Sequence, residues 1–446
     1  MTTPIFDFVK AYSEGKTARF HMPGHKGVAR LGCEKYDITE ISGADVLYSA
    51  RGIIEESEKN LTSLYGTAHS FYSTEGSTLA IKAMLALISE REGGDRPLIL
   101  AARNVHTAFI KACALLDLDA EFIYPEREGH LCECRITAED VKRAIVKAEK
   151  KPRAVYLTSP DYLGNMLDIS AISAVCREYG LPLLVDNAHG AYLNFLSPSI
   201  HPIALGADMC CDSAHKTLPV LTGGAYLHIS PAADEKYVLG ARNALSVFAS
   251  TSPSYLILQS LDLCNKYLAE GYENRLSECV KRVEETRAFI SQKGFAVMPS
   301  EPLKITLNAS ASGYTGKELA VKLRTYNIEC EFADDSYLVL MISPETRDID
   351  FDRLEQAFSE LPVRSPLTSE NDTFCLDSCE QCMTIREAIF GESETVSVEN
   401  AVGRICGAPT VSCPPAIPIV VSGERISENA VKLFKRYGIE EISVVK

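Results

Sequence analysis

The sequence predicts an α/β protein built on a mainly parallel sheet with helices on both faces, and two observations carry that expectation. Between about Pro97 and Ser230, short apolar runs alternate with segments of helical period. The residues between them are those that start and stop helices, and strands joined by helices pair in parallel. In chain order PLILAARN reads as a strand, HTAFIKACALLDL as a helix, AEFIYP as a strand, TAEDVKRAIVKAEK as a helix and AVYLTSP as a strand. DISAISAVCREYG then reads as a helix, and LPLLVDNA, ADMCCDSAH and GAYLHIS as three more strands. Thr137 with Asp140 has the spacing of a capping box, and Asp168 and Gly180 stand where an N-cap and a C-cap belong.

Beyond this core a long helical stretch near Ser260 to Lys293 leads to a smaller α+β pattern, KITLNA, TGKELAVKLRTYN, IECEFADDSYLVLMIS and DFDRLEQAFSEL. VRSPLTSENDTF is polar and contains proline, as a connector does. TIREAIF, PIVVSGE, ENAVKLFKRYG and EEISVVK form a last small unit. The expected division is an N-terminal arm at 1–45, a large domain at 46–260, a small α+β domain at 261–362 and a C-terminal domain at 363–446. A chain of 446 residues exceeds the size at which one core keeps growing, which fits such a division.

Composition narrows the class. Hydrophobic residues at 46% and charged residues at 24% are ordinary for a soluble globular protein. MTTPIFDFVKAYSEGK has no export-signal pattern and no stretch approaches a membrane span, so a cytoplasmic protein is expected. The fifteen cysteines then read as reduced thiols, many of them small buried hydrophobes, with no metal site. Cys375, Cys379 and Cys382 have the CxxxCxxC spacing of an iron–sulfur site in radical enzymes, but too little chain follows to build the barrel that such a cluster opens. A net charge of −15 argues against nucleic acid and mildly favours cationic small molecules.

In parallel sheets ligands collect beyond the carboxyl ends of the strands. Those positions hold Arg103, Asn104 and His106, then Ser159, Asp186 and His189, then Ser213, His215 and Lys216. A lysine in a loop is ordinarily a solvated charge, but its amine becomes a Schiff-base nucleophile when it can be deprotonated beside an aldehyde. Asp186 ends a strongly apolar strand, where a carboxylate is costly unless it meets a cation or a donor. The pyridinium N–H of pyridoxal 5′-phosphate (PLP) is such a donor. Gly76, Ser77 and Thr78 open a helix, which is how a dianionic phosphate is held. His106 could stack on an aromatic cofactor face. Together these residues point to PLP bound on Lys216 and to bond cleavage at an amino acid α-carbon.

Five segments then carry a resemblance: FHMPGHKG at Phe20–Gly27, DNAHGAYL at Asp186–Leu193, SAHKTLPVLTGGAYLH at Ser213–His228, STSPSY at Ser250–Tyr255 and CPPAIPIVVSGE at Cys413–Glu424. The chain resembles the short form of the bacterial ornithine/lysine/arginine decarboxylase family, which lacks the N-terminal receiver-like domain of larger members. The resemblance implies the aspartate aminotransferase-like fold (fold-type I) with a seven-stranded sheet, smaller α+β C-terminal domains and a last domain of decarboxylase type. It makes Lys216 the Schiff-base lysine and Asp186 the partner of the pyridinium nitrogen. Ala188 and His106 flank the ring, Ser77, Thr78, Ser213 and His215 surround the phosphate, and His189 hydrogen-bonds the phenolic oxygen. The implied activity is decarboxylation of a basic L-amino acid, with arginine favoured by the short form, in a homodimer or higher assembly whose TSPSY segment reaches a partner's phosphate.

The chain departs from the family pattern at Glu75, usually Asn; at Asn187, usually acidic; and at Gly223-Gly224, usually a Gln-containing turn. Lys216, His215 and His189 are the candidate proton donors to the α-carbon. An aminotransferase or lyase on the same fold, or a silent PLP-binding protein, is the rival reading.

Overall fold

Runs of four or five residues make the strands of the main sheet, and they are buried almost throughout except in the edge strand Asp119–Ile123, which is largely half-exposed. A computed structural model describes residues 1–91, 94–125, 129–367, 378–411 and 414–446. Cys375 and Cys413 lie outside them. The strands are β1 (His69–Ser73), β2 (Leu98–Ala102), β3 (Asp119–Ile123), β4 (Ala154–Thr158), β5 (Leu183–Asp186), β6 (Met209–Asp212) and β7 (Ala225–Ile229). They form a seven-stranded sheet in the order β1-β7-β6-β5-β4-β2-β3. β2 pairs in parallel with β3 and β4, and β5 with β6, whereas β7 runs antiparallel to both β6 and β1. The mainly parallel α/β sheet expected from the alternation is present.

Contacts group the chain into two compact units, Met1–Glu90 with Cys176–Arg275, and Arg91–Val175 with Leu276–Lys446. In the first, helices Ile53–Tyr65, Gly76–Leu87, Glu235–Phe248 and Tyr255–Ala269 accompany β1, β5, β6 and β7. The N-terminal helix Pro4–Glu14 is anchored by Asp262 Oδ2, which accepts from Ile5 N and Phe6 N at 2.9 Å each. The helical stretch expected near 260–293 is two helices, Tyr255–Ala269 and Tyr272–Gln292. Gly271, at φ 77°, takes the left-handed turn that breaks them.

The second unit adds two small sheets. Strands β8 (Ala296–Met298), β9 (Lys304–Asn308), β10 (Phe332–Ala333) and β11 (Tyr337–Met341) pair antiparallel in the order β10-β11-β9-β8. β12 (Ser393–Ser397) pairs with β13 (Glu441–Val445). Phe332, Val339, Val420, Phe434 and Val444 share one apolar core. PIVVSGE, grouped above with this unit, forms no strand. Its proline lacks an N–H, and the carbonyls of Pro418 and Ile419 accept instead from the buried Arg103 guanidinium at 2.8 and 2.9 Å. The Thr137–Asp140 capping box forms, Asp168 Oδ1 accepts from Ala171 N at 3.0 Å, and Gly180 adopts φ 64°. Among the described residues, no helix is long and apolar enough to cross a membrane.

Candidate active site

At the end of β5 the chain must turn sharply. Asn187 N–H donates to Cys211 O at 3.0 Å and Gly190 N–H to Asn187 O at 2.8 Å. A Cβ on Gly190 would lie 2.0 Å from Asn187 Oδ1, so only glycine closes this turn. Asp186 is 3% exposed, and its Oδ1 accepts from Ala188 N at 3.2 Å and from the Cys211 thiol at 3.6 Å. Burial and the neighbouring Asp186 carboxylate push the Cys211 thiol well up, which keeps it a donor.

β6 ends beside this turn and leads into the single helical turn Ala214–Thr217. There Lys216 N–H donates to Ser213 O at 2.9 Å, and Lys216 Nζ lies 2.9 Å from His189 Nε2. His215 points elsewhere. Its Nδ1 lies 2.9 Å from Gly224 O, the carbonyl that also accepts its backbone N–H, so the ring proton sits on Nδ1. Burial, with Lys216 nearby, lowers the His215 pKa and keeps the ring neutral at pH 7.

The helix Gly76–Leu87 opens without any side-chain cap. Gly76, at φ 70°, sends its N–H to Gly223 O at 2.7 Å and turns the chain into the helix. Ser213 Oγ donates to Ser77 Oγ at 2.8 Å, and Thr78 follows in the same first turn. An uncapped helix N-terminus flanked by hydroxyls fits a phosphate, as the lysine and carboxylate fit the rest of PLP. Glu75 accepts from Ser250 N at 2.8 Å and ties the STSPSY segment to this helix start.

Lys216 and His189, and Ser213 and Ser77, are thus in direct contact, while Asp186 and Ala188 share the β5 turn. His106 belongs to the second unit, where it caps helix Thr107–Leu116 by accepting from Ala108 N at 3.1 Å. Reading single residues missed Cys211 and Asp212. The strand alternation of MCCD separates them: Cys211 joins Asp186 on one face, while Cys210 and Asp212 point to the other. Asn187 Nδ2 donates to Asp212 Oδ1 at 2.7 Å.

The sheet and these side chains define a PLP-dependent enzyme of fold-type I. The chain belongs to the Orn/Lys/Arg decarboxylase family, PLP-dependent decarboxylases of basic amino acids. Residues 3–310 match the model of its major domain and residues 374–437 that of its C-terminal domain. The chain is 30% identical to an uncharacterized protein of Bacillus subtilis, YaaO, over 98% of this chain and 94% of that protein. It is 28% identical to the arginine decarboxylase of the same organism, over 97% and 93%. Its fold is similar to that of the Francisella novicida lysine decarboxylase, with TM-score 0.83 at 17% identity, covering 100% of this chain and 81% of that one.

Proposed function

We propose that this chain decarboxylates L-arginine to agmatine, with Lys216 holding the cofactor. The contact of Lys216 with His189, one turn beyond a strand that neighbours Asp186, carries the residue assignment. The substrate assignment is supported by relatives named arginine decarboxylase in Bacillus subtilis, Halalkalibacterium halodurans, Bacillus anthracis and Bacillus cereus at 26–28% identity.

Bound PLP would supply the electron sink for the Cα–carboxylate bond. Lys216 would bind its aldehyde carbon as a Schiff base, and Asp186, oriented by Ala188 N–H and Cys211, would keep the ring nitrogen protonated. Ser77, Thr78, Ser213 and the first-turn N–H groups would take the phosphate. His189 would orient the Lys216 amine and the phenolic oxygen, and this pair would deliver the proton to the α-carbon. His215, tied to Gly224, would support the phosphate end through packing. Ala188 would cover one ring face; the assignment of His106 to the other rests on resemblance. A homodimer in the cytoplasm is the proposed working form.

The test is CO2 release from the PLP-loaded protein with arginine, lysine and ornithine, beside Lys216→Ala. Release from arginine that vanishes in the variant is expected. Faster release from lysine or ornithine would overturn the substrate, and release by the variant would overturn the role of Lys216.

A further inference from the structure

Asp212 ends β6 on the face away from Asp186, and it is completely buried. Three side chains converge on its carboxylate. Asn187 Nδ2 donates to Oδ1 at 2.7 Å, while His201 Nε2 and His228 Nε2 lie 3.1 and 3.2 Å from Oδ2. His228 Nδ1 continues at 2.7 Å to Ser70 Oγ, itself 2.7 Å from Thr67 Oγ. Asn187, His201, His228 and Ser70 are as inaccessible as Asp212. A carboxylate taken out of water survives only where donors satisfy it, and here Asn187 and His201 donate to it while the His228 ring lies beside it without a hydrogen bond of good geometry.

We propose that Asp212 is a positioning residue for the cofactor site, holding the Asn187 side chain and thereby fixing the Asp186–His189 turn. The proposal rests on the reading of Asp186 and His189 given above. The turn has no slack, since Asn187 Oδ1 packs against Gly190 where a Cβ would come within 2.0 Å. The Asn187 amide is therefore tethered through Nδ2 to Asp212, with Oδ1 packed beside Gly190 and making no hydrogen bond, and a shift of Asp212 moves the residue between Asp186 and Ala188. Burial alone would raise the Asp212 carboxyl, but His201 and His228 beside it hold it well below the usual carboxylate range. The anchor stays ionised across the working pH.

His201, Cys210 and Asp212 also lie close enough together to hold a metal ion. The proton positions oppose that use. Ile203 N–H points at His201 Nδ1 at 3.4 Å, which puts the ring proton on Nε2. That nitrogen donates to Asp212 and offers no lone pair to an ion.

The test compares the wild-type holoenzyme with Asp212→Asn, Asn187→Asp, Asn187→Ala and the double variant Asn187→Asp/Asp212→Asn. The double variant reverses the pair: the carboxylate moves to 187 and accepts from the amide at 212, whose remaining oxygen still accepts from His201 and faces His228. Four readouts are taken: the rate of PLP loss on dialysis, the pH midpoint of its visible absorbance, kcat and KM for arginine, and the melting temperature of cofactor-free protein. Each single variant is expected to lose PLP about tenfold faster, within the range for coupled neighbours, and to shift the absorbance midpoint. The double variant is expected to recover most of both. Asn187→Ala, which leaves Asp212 its histidines, keeps the test valid should Asp212→Asn fail to fold. Melting temperatures that fall while PLP loss and the midpoint stay put would reduce Asp212 to a structural role and overturn the proposal. A double variant no better than the worse single variant would overturn it too, as would stoichiometric zinc lost in Asp212→Asn. Absence of CO2 release by PLP-loaded wild type would count against the reaction alone, leaving the PLP readouts to judge Asp212.

Discussion

The Lys216–His189 contact decides how the site uses its lysine. A lysine amine beside a carboxylate would be held as a cation, whereas an imidazole nitrogen can take its proton and return it. His189→Phe keeps a ring in the turn but removes the acceptor. We expect kcat to fall by about 10²- to 10⁴-fold, the usual range for a lost proton-transfer group, with KM nearly unchanged. Steady-state CO2 release over a range of arginine concentrations checks this, and a change confined to KM would assign His189 to substrate binding. The placement of Lys216 after a strand end and of Ser77 at a helix start is legible in the sequence, because each is set by its neighbours along the chain. The sequence is silent on Cys211 and Asp212. Their partners, Asp186 and Asn187, sit twenty-five residues away and are reached only through the β5–β6 pairing, in which Asp186 faces Cys211.

Gly76 turns the chain into its helix at φ 70°, and no atom lies within 4 Å of where a Cβ would stand. Gly76→Ala therefore meets no clash, only backbone strain of about 1 kcal/mol, and should weaken PLP binding about fivefold in equilibrium titrations. The N-terminal helix depends on Asp262, whose carboxyl burial raises to about 6 against the donors Ser57, Phe6 and Ile5 that lower it. A carboxyl raised in the fold contributes stability fully below its unfolded value near 3.8 and loses it as pH rises through about 6. Asp262→Asn keeps an acceptor for the helix and does not titrate. Relative to that variant, the wild type should lose up to about 3 kcal/mol between about pH 4 and 6.5, measured by urea unfolding. A pH-independent difference would show that the carboxyl is not raised. Elements themselves were legible because apolar runs and helical periods are local patterns. The break at Gly271 was not, since an isolated glycine in a helical stretch is tolerated at a modest cost and does not by itself mark an end. Nor was the irregular path through Pro418 and Ile419, whose carbonyls are satisfied by an arginine more than 300 residues away in sequence.

At the scale of the whole molecule, the charge of −15 acts on ligands before they arrive. On the proposed reading, arginine enters with one net positive charge, and loss of its carboxylate leaves agmatine with two. An acidic protein therefore holds its product more strongly than its substrate through the long-range field. Raising ionic strength from about 0.01 M to about 1 M shortens the screening length from about 30 Å to about 3 Å. The KM for arginine should rise several-fold over that interval while kcat at saturation stays level. The inhibition constant of agmatine should rise more steeply, roughly as the square of the factor for arginine, because twice the charge feels the same potential. Measuring both constants against potassium chloride separates the field from the site. If the two rise in parallel, the charge spread over the surface is irrelevant to binding, and discrimination between substrate and product rests on contacts to the carboxylate alone.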